Sequence, residues 1–524
     1  MRHPAGLRSP PSVPVLMSMR PSLTSGVLIG SALLLAGSAS AETLREAMVR
    51  AYQSNPTITG QRAAQRATDE NVPIARSNGL PSLQSQAQFT DNVIVANNNF
   101  LNPERVATGA LQLSVPLYQG GAVKNAVRAA ETRVDAGRAQ LRGVEANLFT
   151  NVVAAYMNVI RDEAIVNLNT RNVNVLETNL RASRDRFQVG DLTRTDVAQS
   201  EARLAQARAQ LQSAQANLIS SRENYVQVVG VAPVGLEQPP ALPALPASPN
   251  EAVGVALEQN PQLIAARRNA DAARYDINVA RANRLPRIAA VSSGNYFNYL
   301  GSINVPAGAG NVPTSGVNAT VGAQLTMPLF QGGRPAAQVR QAEALRGQAL
   351  ENTTATERQV VAQVRSAYAV WQSSQEVIAS AESAVRANSL SLEGVRAENS
   401  VGTRTVLDIL NAEQELLNSQ VTLVTARRDA YVAGFALIAA MGNAEARDLG
   451  LDGGSLYDPV TNYKRVRNRI NDWDGDGEPA PVASTTAGTP AQTAAITRPL
   501  DADVNAPVDR SPALTTGASS PNRQ

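Results

Sequence analysis

Four stretches of the chain alternate apolar and polar residues with the period of two that a β-strand imposes. In the first, Leu83, Ser85, Ala87 and Phe89 fall on one side and Gln84, Gln86 and Gln88 on the other. Asn97-Asn98-Asn99 and Asn102-Pro103 make a loop. A return strand runs from about Val106 to Val115, where Leu111, Leu113 and Val115 alternate with Gln112 and Ser114. Ile288 to Tyr299 repeats the outgoing strand with weaker alternation, and Leu300 to Gly316, rich in Gly and Pro, is its loop. The cleanest signal comes last: Val317, Ala319, Val321, Ala323, Leu325 and Met327 alternate with Asn318, Thr320, Gly322, Gln324 and Thr326. These stretches predict two β-hairpins, 82–116 and 287–328, each with one polar face.

Each hairpin closes on the same six-residue turn. Pro116-Leu117-Tyr118-Gln119-Gly120-Gly121 recurs as Pro328-Leu329-Phe330-Gln331-Gly332-Gly333. After each turn the period changes to that of a helix. Residues 121–188 contain no proline, enough for a rod of about 100 Å at about 1.5 Å per residue. The second rod is 333–400. Both stop at Val-Gly, Val189-Gly190 and Val401-Gly402, where glycine suits the left-handed position that ends a helix. Return helices follow at 192–229 and 404–441. In the first, Val197, Leu204, Leu211, Leu218 and Tyr225 recur every seven residues with Ala207, Ala214 and Val228 between them. In the second, Ile409, Leu416, Leu423 and Leu437 recur, with Ala426, Ala433 and Ala440 between. A heptad of large and small residues is a seam along which helices approach closely. Thr43 to Gln53 and Thr57 to Asn78 predict two short helices, the second kinked at Pro73. Laid end to end, the return helix and Thr57–Asn78 nearly match the rod beside them.

The plan is a duplication. Asn55-Pro56 recurs as Asn260-Pro261 and Leu80-Pro81 as Leu285-Pro286, both 205 residues on. From the turn onward the offset is 212, as in Asp196 to Asp408 and Gly230 to Gly442. The seven extra residues fall in the second hairpin, where insertions are best tolerated. The predicted organisation is a signal peptide (1–41), a first repeat (42–230), a Pro-rich linker (231–250), a second repeat (251–442), a segment packing at the equator of the helices (443–473) and a disordered tail rich in Pro, Ala, Thr, Ser and Gly (474–524).

Composition narrows the function. Arg20, the apolar run Val27 to Ala36 and Ala39-Ser40-Ala41 read as an export signal, with Met17 and Met19 as alternative starts. The chain has no Cys, and its one His, His3, lies inside the signal. No Cys/His metal site, His-based triad or thiol nucleophile can exist in the mature protein, so neither an enzyme nor a cofactor is expected. A net charge of +3 and 4% aromatic residues give no nucleic-acid footprint. After the signal, no apolar run reaches the roughly 18 residues of a spanning helix. Asp472-Trp-Asp-Gly-Asp-Gly477 resembles the start of a calcium loop, but its twelfth position is Ala483 rather than Glu.

Four strands with an apolar face cannot close a barrel, and open edges are forbidden in a bilayer. Other copies of the chain must complete them. The two P-L-[YF]-Q-G-G turns, the Leu-Pro strand entries and the loops Val189–Val197 and Val401–Ile409 together resemble the TolC family of outer-membrane efflux proteins over about residues 42–463. The resemblance implies an α+β membrane protein. Its fold would be a homotrimeric 12-stranded outer-membrane β-barrel, four strands per chain, continuing into a long periplasmic α-helical barrel. It implies a passive exit duct across the outer membrane of a Gram-negative bacterium, for small-molecule efflux or type I protein secretion. The partners would be outer-membrane lipid, a periplasmic adaptor and an inner-membrane transporter. Carried over residue by residue, the adaptor-docking tips are Val189, Gly190, Val401 and Gly402. The periplasmic gate comprises Thr195 and Asp196, with Arg404 reaching Asp196 on the neighbouring coil, and an acidic constriction at Asp408 whose second position is Asn411. The strand–helix turns are Pro116, Gly120, Gly121, Pro328, Gly332 and Gly333. Thr193-x-x-Asp196 and Thr405-x-x-Asp408 also fit helix-start capping boxes. A uptake porin is disfavoured by the heptad helices. A periplasmic coiled-coil scaffold without channel activity is the alternative from another class, and it leaves the one-face-apolar strands unexplained.

Overall fold

The computed structural model describes residues 42–94, 103–303, 310–451 and 456–496. The export signal, the Asn97-Asn98-Asn99 loop and the end of the tail lie outside these residues. The order of elements is α1 (Leu44–Ser54), α2 (Pro56–Asp69), α3 (Asn71–Ser77), β1 (Ser82–Asp91), β2 (Arg105–Tyr118), α4 (Ala122–Gln188), α5 (Arg194–Val229), α6 (Pro249–Gln259), α7 (Pro261–Ala282), β3 (Arg287–Asn298), β4 (Ser315–Thr326), α8 (Arg334–Ser400), α9 (Val406–Met441) and α10 (Pro459–Val466). The two rods α4 and α8 are each 67 residues long, and the return helices α5 and α9 are each 36.

The strands form one antiparallel sheet in the order β1-β2-β3-β4. Its register brings the apolar positions of all four strands to one face, with Ser85 and Ser292 among them. Leu83 pairs with Leu113, Leu113 with Ser292 and Ser292 with Val321. One step along, Ser85, Leu111, Gly294 and Ala319 line up in the same way. The opposite face carries Gln84, Gln112, Ser293 and Thr320. Both edges of the sheet, β1 and β4, lack a further strand among the described residues. Val317, Val321, Leu325 and Phe330 are exposed, Phe330 by 90%.

The Thr57–Asn78 helix is broken rather than kinked. The break falls at Glu70, ahead of Pro73, because proline offers no N–H to the carbonyl four residues back and its ring crowds that carbonyl. Asn-Pro proves to be more than a helix stop. The Asn55 side chain accepts from the Thr57 amide and donates 2.8 Å to the Val228 carbonyl at the end of α5. Asn260 accepts from Gln262 and Leu263 and donates 2.9 Å to the Ala440 carbonyl at the end of α9. Each asparagine therefore caps a short helix and ties it to the return helix that it continues end to end.

The main core gathers around the middle of α4, where Phe149, Tyr156, Tyr225, Leu218, Leu263 and Phe435 are buried completely or nearly so. The Tyr156 hydroxyl lies 2.8 and 2.7 Å from the carbonyls of Glu42 and Glu237, joining the start of the described chain to the 231–250 linker. That linker is packed: Tyr368 and Tyr431 donate to the Ala247 and Pro240 carbonyls. The rods differ sharply in burial. α4 buries apolar side chains along most of its length, whereas α8 leaves Leu345, Leu350, Val370, Val377 and Leu390 exposed. The tail departs from the disorder that its composition suggests. Residues 474–496 are placed, the Gln492 amide donates to Glu223, Arg222 donates to the Thr493 carbonyl, and Ala494 and Ile496 pack on the core.

Candidate functional site

The candidate site is the pair of helix-to-helix tips. At the first, the Gly190 and Asp191 amides return to the Phe187 and Arg186 carbonyls at 3.0 and 2.9 Å. At the second, the Gly402 and Thr403 amides return to Asn399 and Glu398 at 3.0 and 3.1 Å. This double closure needs a left-handed residue, and Gly190 and Gly402 take φ of 84° and 81°. A Cβ on either would meet nothing within 4 Å, so backbone strain alone selects glycine. Val189 and Val401 stand out beside them, 79% and 74% exposed.

The return helices start with identical chemistry. Thr193 accepts from the Asp196 amide while Asp196 accepts from the Thr193 amide at 2.9 Å and its hydroxyl at 2.7 Å. Thr405 and Asp408 repeat every bond. The Thr193 hydroxyl and amide hold Asp196 below the usual carboxylate range, and the Thr405 amide and hydroxyl do the same for Asp408. Both carboxylates therefore stay ionised, and each stabilises its helix start.

Within the chain Arg404 is engaged by its own loop. Its Nε donates 2.7 Å to Glu398 on the preceding rod. Glu398 is six residues away and precedes the same loop, so local geometry favours it. Asn399, buried, donates 2.7 Å to the Arg404 carbonyl and pins the loop from inside. Thr195 is exposed on the first turn of α5. Asn411 has a partner that no sequence signal revealed: Arg203 of α5 donates to its side-chain oxygen at 2.8 Å. Behind that bond Leu204 and Ala207 of α5 pack with Val406 and Leu410 of α9 and with Val173, Leu176 and Leu180 of α4. Here the two helical pairs meet.

At the other end of the rods, Gly120 and Gly121 take φ of 61° and 79°, and Gly332 and Gly333 57° and 80°. A Cβ on Gly120 would lie 2.8 Å from that of Leu285. Pro116 sits in β2 beside a register shift, and Pro328 follows the end of β4. The calcium-like run is occupied by arginines. Asp474 pairs with Arg469, and Asp476 with Arg465 and Arg469, which drive its carboxyl well below the usual range.

A one-face-apolar hairpin sheet on paired rods that end in capped glycine loops defines a channel-forming outer-membrane protein with a large periplasmic part. The chain belongs to the outer membrane efflux protein family, whose pattern it matches over residues 47–231 and 252–443. It is 33% identical over 455 residues to the outer membrane efflux protein BepC of Brucella suis, spanning 87% of this chain and 97% of that one. It is 28% identical to the outer membrane protein TolC of Escherichia coli, spanning 88% and 96%. The crystal structure of the outer membrane protein VceC of Vibrio cholerae shares its fold, with a TM-score of 0.65 at 23% identity, over 76% of this chain and 96% of that one. The protein lies in the outer membrane of a Gram-negative cell and reaches into the periplasm.

Proposed function

We propose that three copies of this chain close their sheets into one 12-stranded barrel and their rods into a tube, forming an exit duct for small-molecule efflux or type I secretion. The observation that carries this reading is the register. A mainly apolar face across four strands, with two open edges, is stable in lipid only if further strands pair with β1 and β4. The exposed apolar side chains of α8 support it, since neighbouring copies would bury what a single chain leaves wet. A water-exposed scaffold would leave both surfaces uncovered. The 205- and 212-residue offsets, with rods and return helices of equal length, support two repeats meeting across the 231–250 linker.

In this reading Val189, Gly190, Val401 and Gly402 form the surface for a periplasmic adaptor that joins the duct to an inner-membrane transporter. The gate lies where the helical pairs meet. Thr195, Asp196, Arg404, Asp408 and Asn411 line it, and Arg203 joins it as the partner of Asn411. The duct works by opening and closing, and no step of it requires bond chemistry.

The detergent-extracted protein is expected to be a trimer by native mass spectrometry. It should restore drug or protein export to a cell lacking its own duct. A folded monomer with its strand signal intact by circular dichroism would refute the barrel.

A further inference from the structure

A cleft between α1, α2 and the segment leading into α10 plays no part in the duct. It encloses about 580 Å³, the size of a small-molecule site. Tyr52 of α1, Arg62 and Arg66 of α2, and Tyr457 and Arg465 opposite them form its walls. The Arg62 guanidinium carbon lies 4.2 Å from the centre of the Tyr52 ring and 5.0 Å from that of Tyr457. The two rings fix its position. Its Nε and Nη2 are covered and donate to nothing, and the covered Tyr457 hydroxyl also has no partner.

Most carboxylates nearby are committed elsewhere, and Glu70, at the end of α2, acts on Arg465. Asp458 accepts from the Val460 amide and the Thr461 hydroxyl, both at 2.8 Å, and so caps α10. Asp476 is held by Arg465 at 2.6 Å. Asp69 is buried and accepts from Gln65 and Asn462. Glu145 acts on Arg62, but it is half-buried, accepts from the Ala446 amide and is pushed up to about 7, so near neutral pH it balances only part of that charge. Arg66 lies four residues after Arg62, on the same face of α2, where like charges repel. Neither arginine forms a hydrogen bond or salt bridge with a carboxylate among the described residues. Two guanidinium groups that share a face with only partial counter-charge, at a cleft with room to spare, are unlike an ordinary solvated helix surface.

We propose that this cleft binds a small oxyanion, a phosphate or carboxylate group, against Arg62 and Arg66. The planar guanidinium fork matches both groups, and a guanidinium already held between two rings loses little freedom on binding. The full chain in detergent is titrated calorimetrically with inorganic phosphate and, separately, with succinate, chloride keeping the ionic strength constant. Saturable binding of one ion per chain is expected. Response to phosphate alone identifies a phosphate site, and an equal or stronger response to succinate identifies a carboxylate site. Arg66 is exposed, so its replacement leaves the fold intact, as size-exclusion chromatography will verify. Arg66→Gln should weaken binding about tenfold, the loss of one charge-assisted contact, and Arg66→Glu should abolish it. Arg62→Lys, which keeps charge and loses the fork, should also weaken it. The proposal is overturned if neither ion gives saturable heat, as when a carboxylate of a second copy fills the cleft, or if Arg66→Glu binds like the unmodified protein.

Discussion

Glu145 illustrates how much a single side chain can set. Its Oε1 accepts from the Ala446 amide at 2.9 Å, holding the segment after α9 against α4. Burial is the main cause that pushes its carboxyl up to about 7, and Glu445 and Asp448 add to it, while Ala446 and Arg62 oppose. Glu445 is itself partly offset by Arg142. A folded value above the ordinary 4.5 means that the folded protein binds the proton more tightly than the unfolded chain. The associated stability is therefore complete below about pH 4.5 and lost as pH rises through about 7. The full span corresponds to on the order of 3 kcal/mol per chain. Between pH 5 and 8 the melting temperature should fall more for the unmodified protein than for Glu145→Gln, whose amide oxygen can still accept from Ala446. Parallel profiles would show that this contact does not titrate in that range.

The helical tips show which parts of the site were legible in the sequence. Val-Gly, followed by Thr-x-x-Asp, announced a left-handed stop and a capped restart, and both copies have that geometry, because capping depends on residues three or four apart. Asn55 and Asn260 stood out only as breaks before proline. Their second bonds, to Val228 and Ala440, join residues far apart in the chain, which no local spacing records. The same limit applies to Arg203, whose partner Asn411 lies on another helix and which no pattern singled out, while Arg404 binds Glu398 beside its own loop. These two arginines separate in function. Arg203 bridges α5 to α9 beside the Leu204, Val406 and Leu410 contact, whereas Arg404 is tied to its own loop. Arg203→Ser should raise single-channel conductance in planar bilayers, because it frees one helical pair from the other. Arg404→Ser should raise it less. The reverse order would return the link between the pairs to Arg404. Gly190→Val and Gly402→Val bring a β-branched residue to positive φ, at about 1–2 kcal/mol or more each. They should impair export while the protein still reaches the outer membrane, as cell fractionation would show.

At the scale of the molecule, the two rods are unequal partners. α4 is satisfied by its own chain, and α8 leaves several large apolar side chains exposed. Val377→Glu, at one of these exposed positions, should lower the temperature at which trimers dissociate on native gels, while an equivalent charge at the solvent-facing Arg194 position should not. A trimer unaffected by Val377→Glu would place the contact elsewhere on α8. The matched lengths of the helices have a further consequence. Because α4 and α8 have the same length, as do α5 and α9, the distance from turn to tip acts as a ruler. A heptad added to all four helices at corresponding points would return every seam residue to its own side and carry the tips about 10 Å farther from the sheet. The same insertion in one rod alone would put its tip out of step with the other. The width of the periplasm that the duct can bridge is therefore an adjustable dimension, independent of the chemistry at either end.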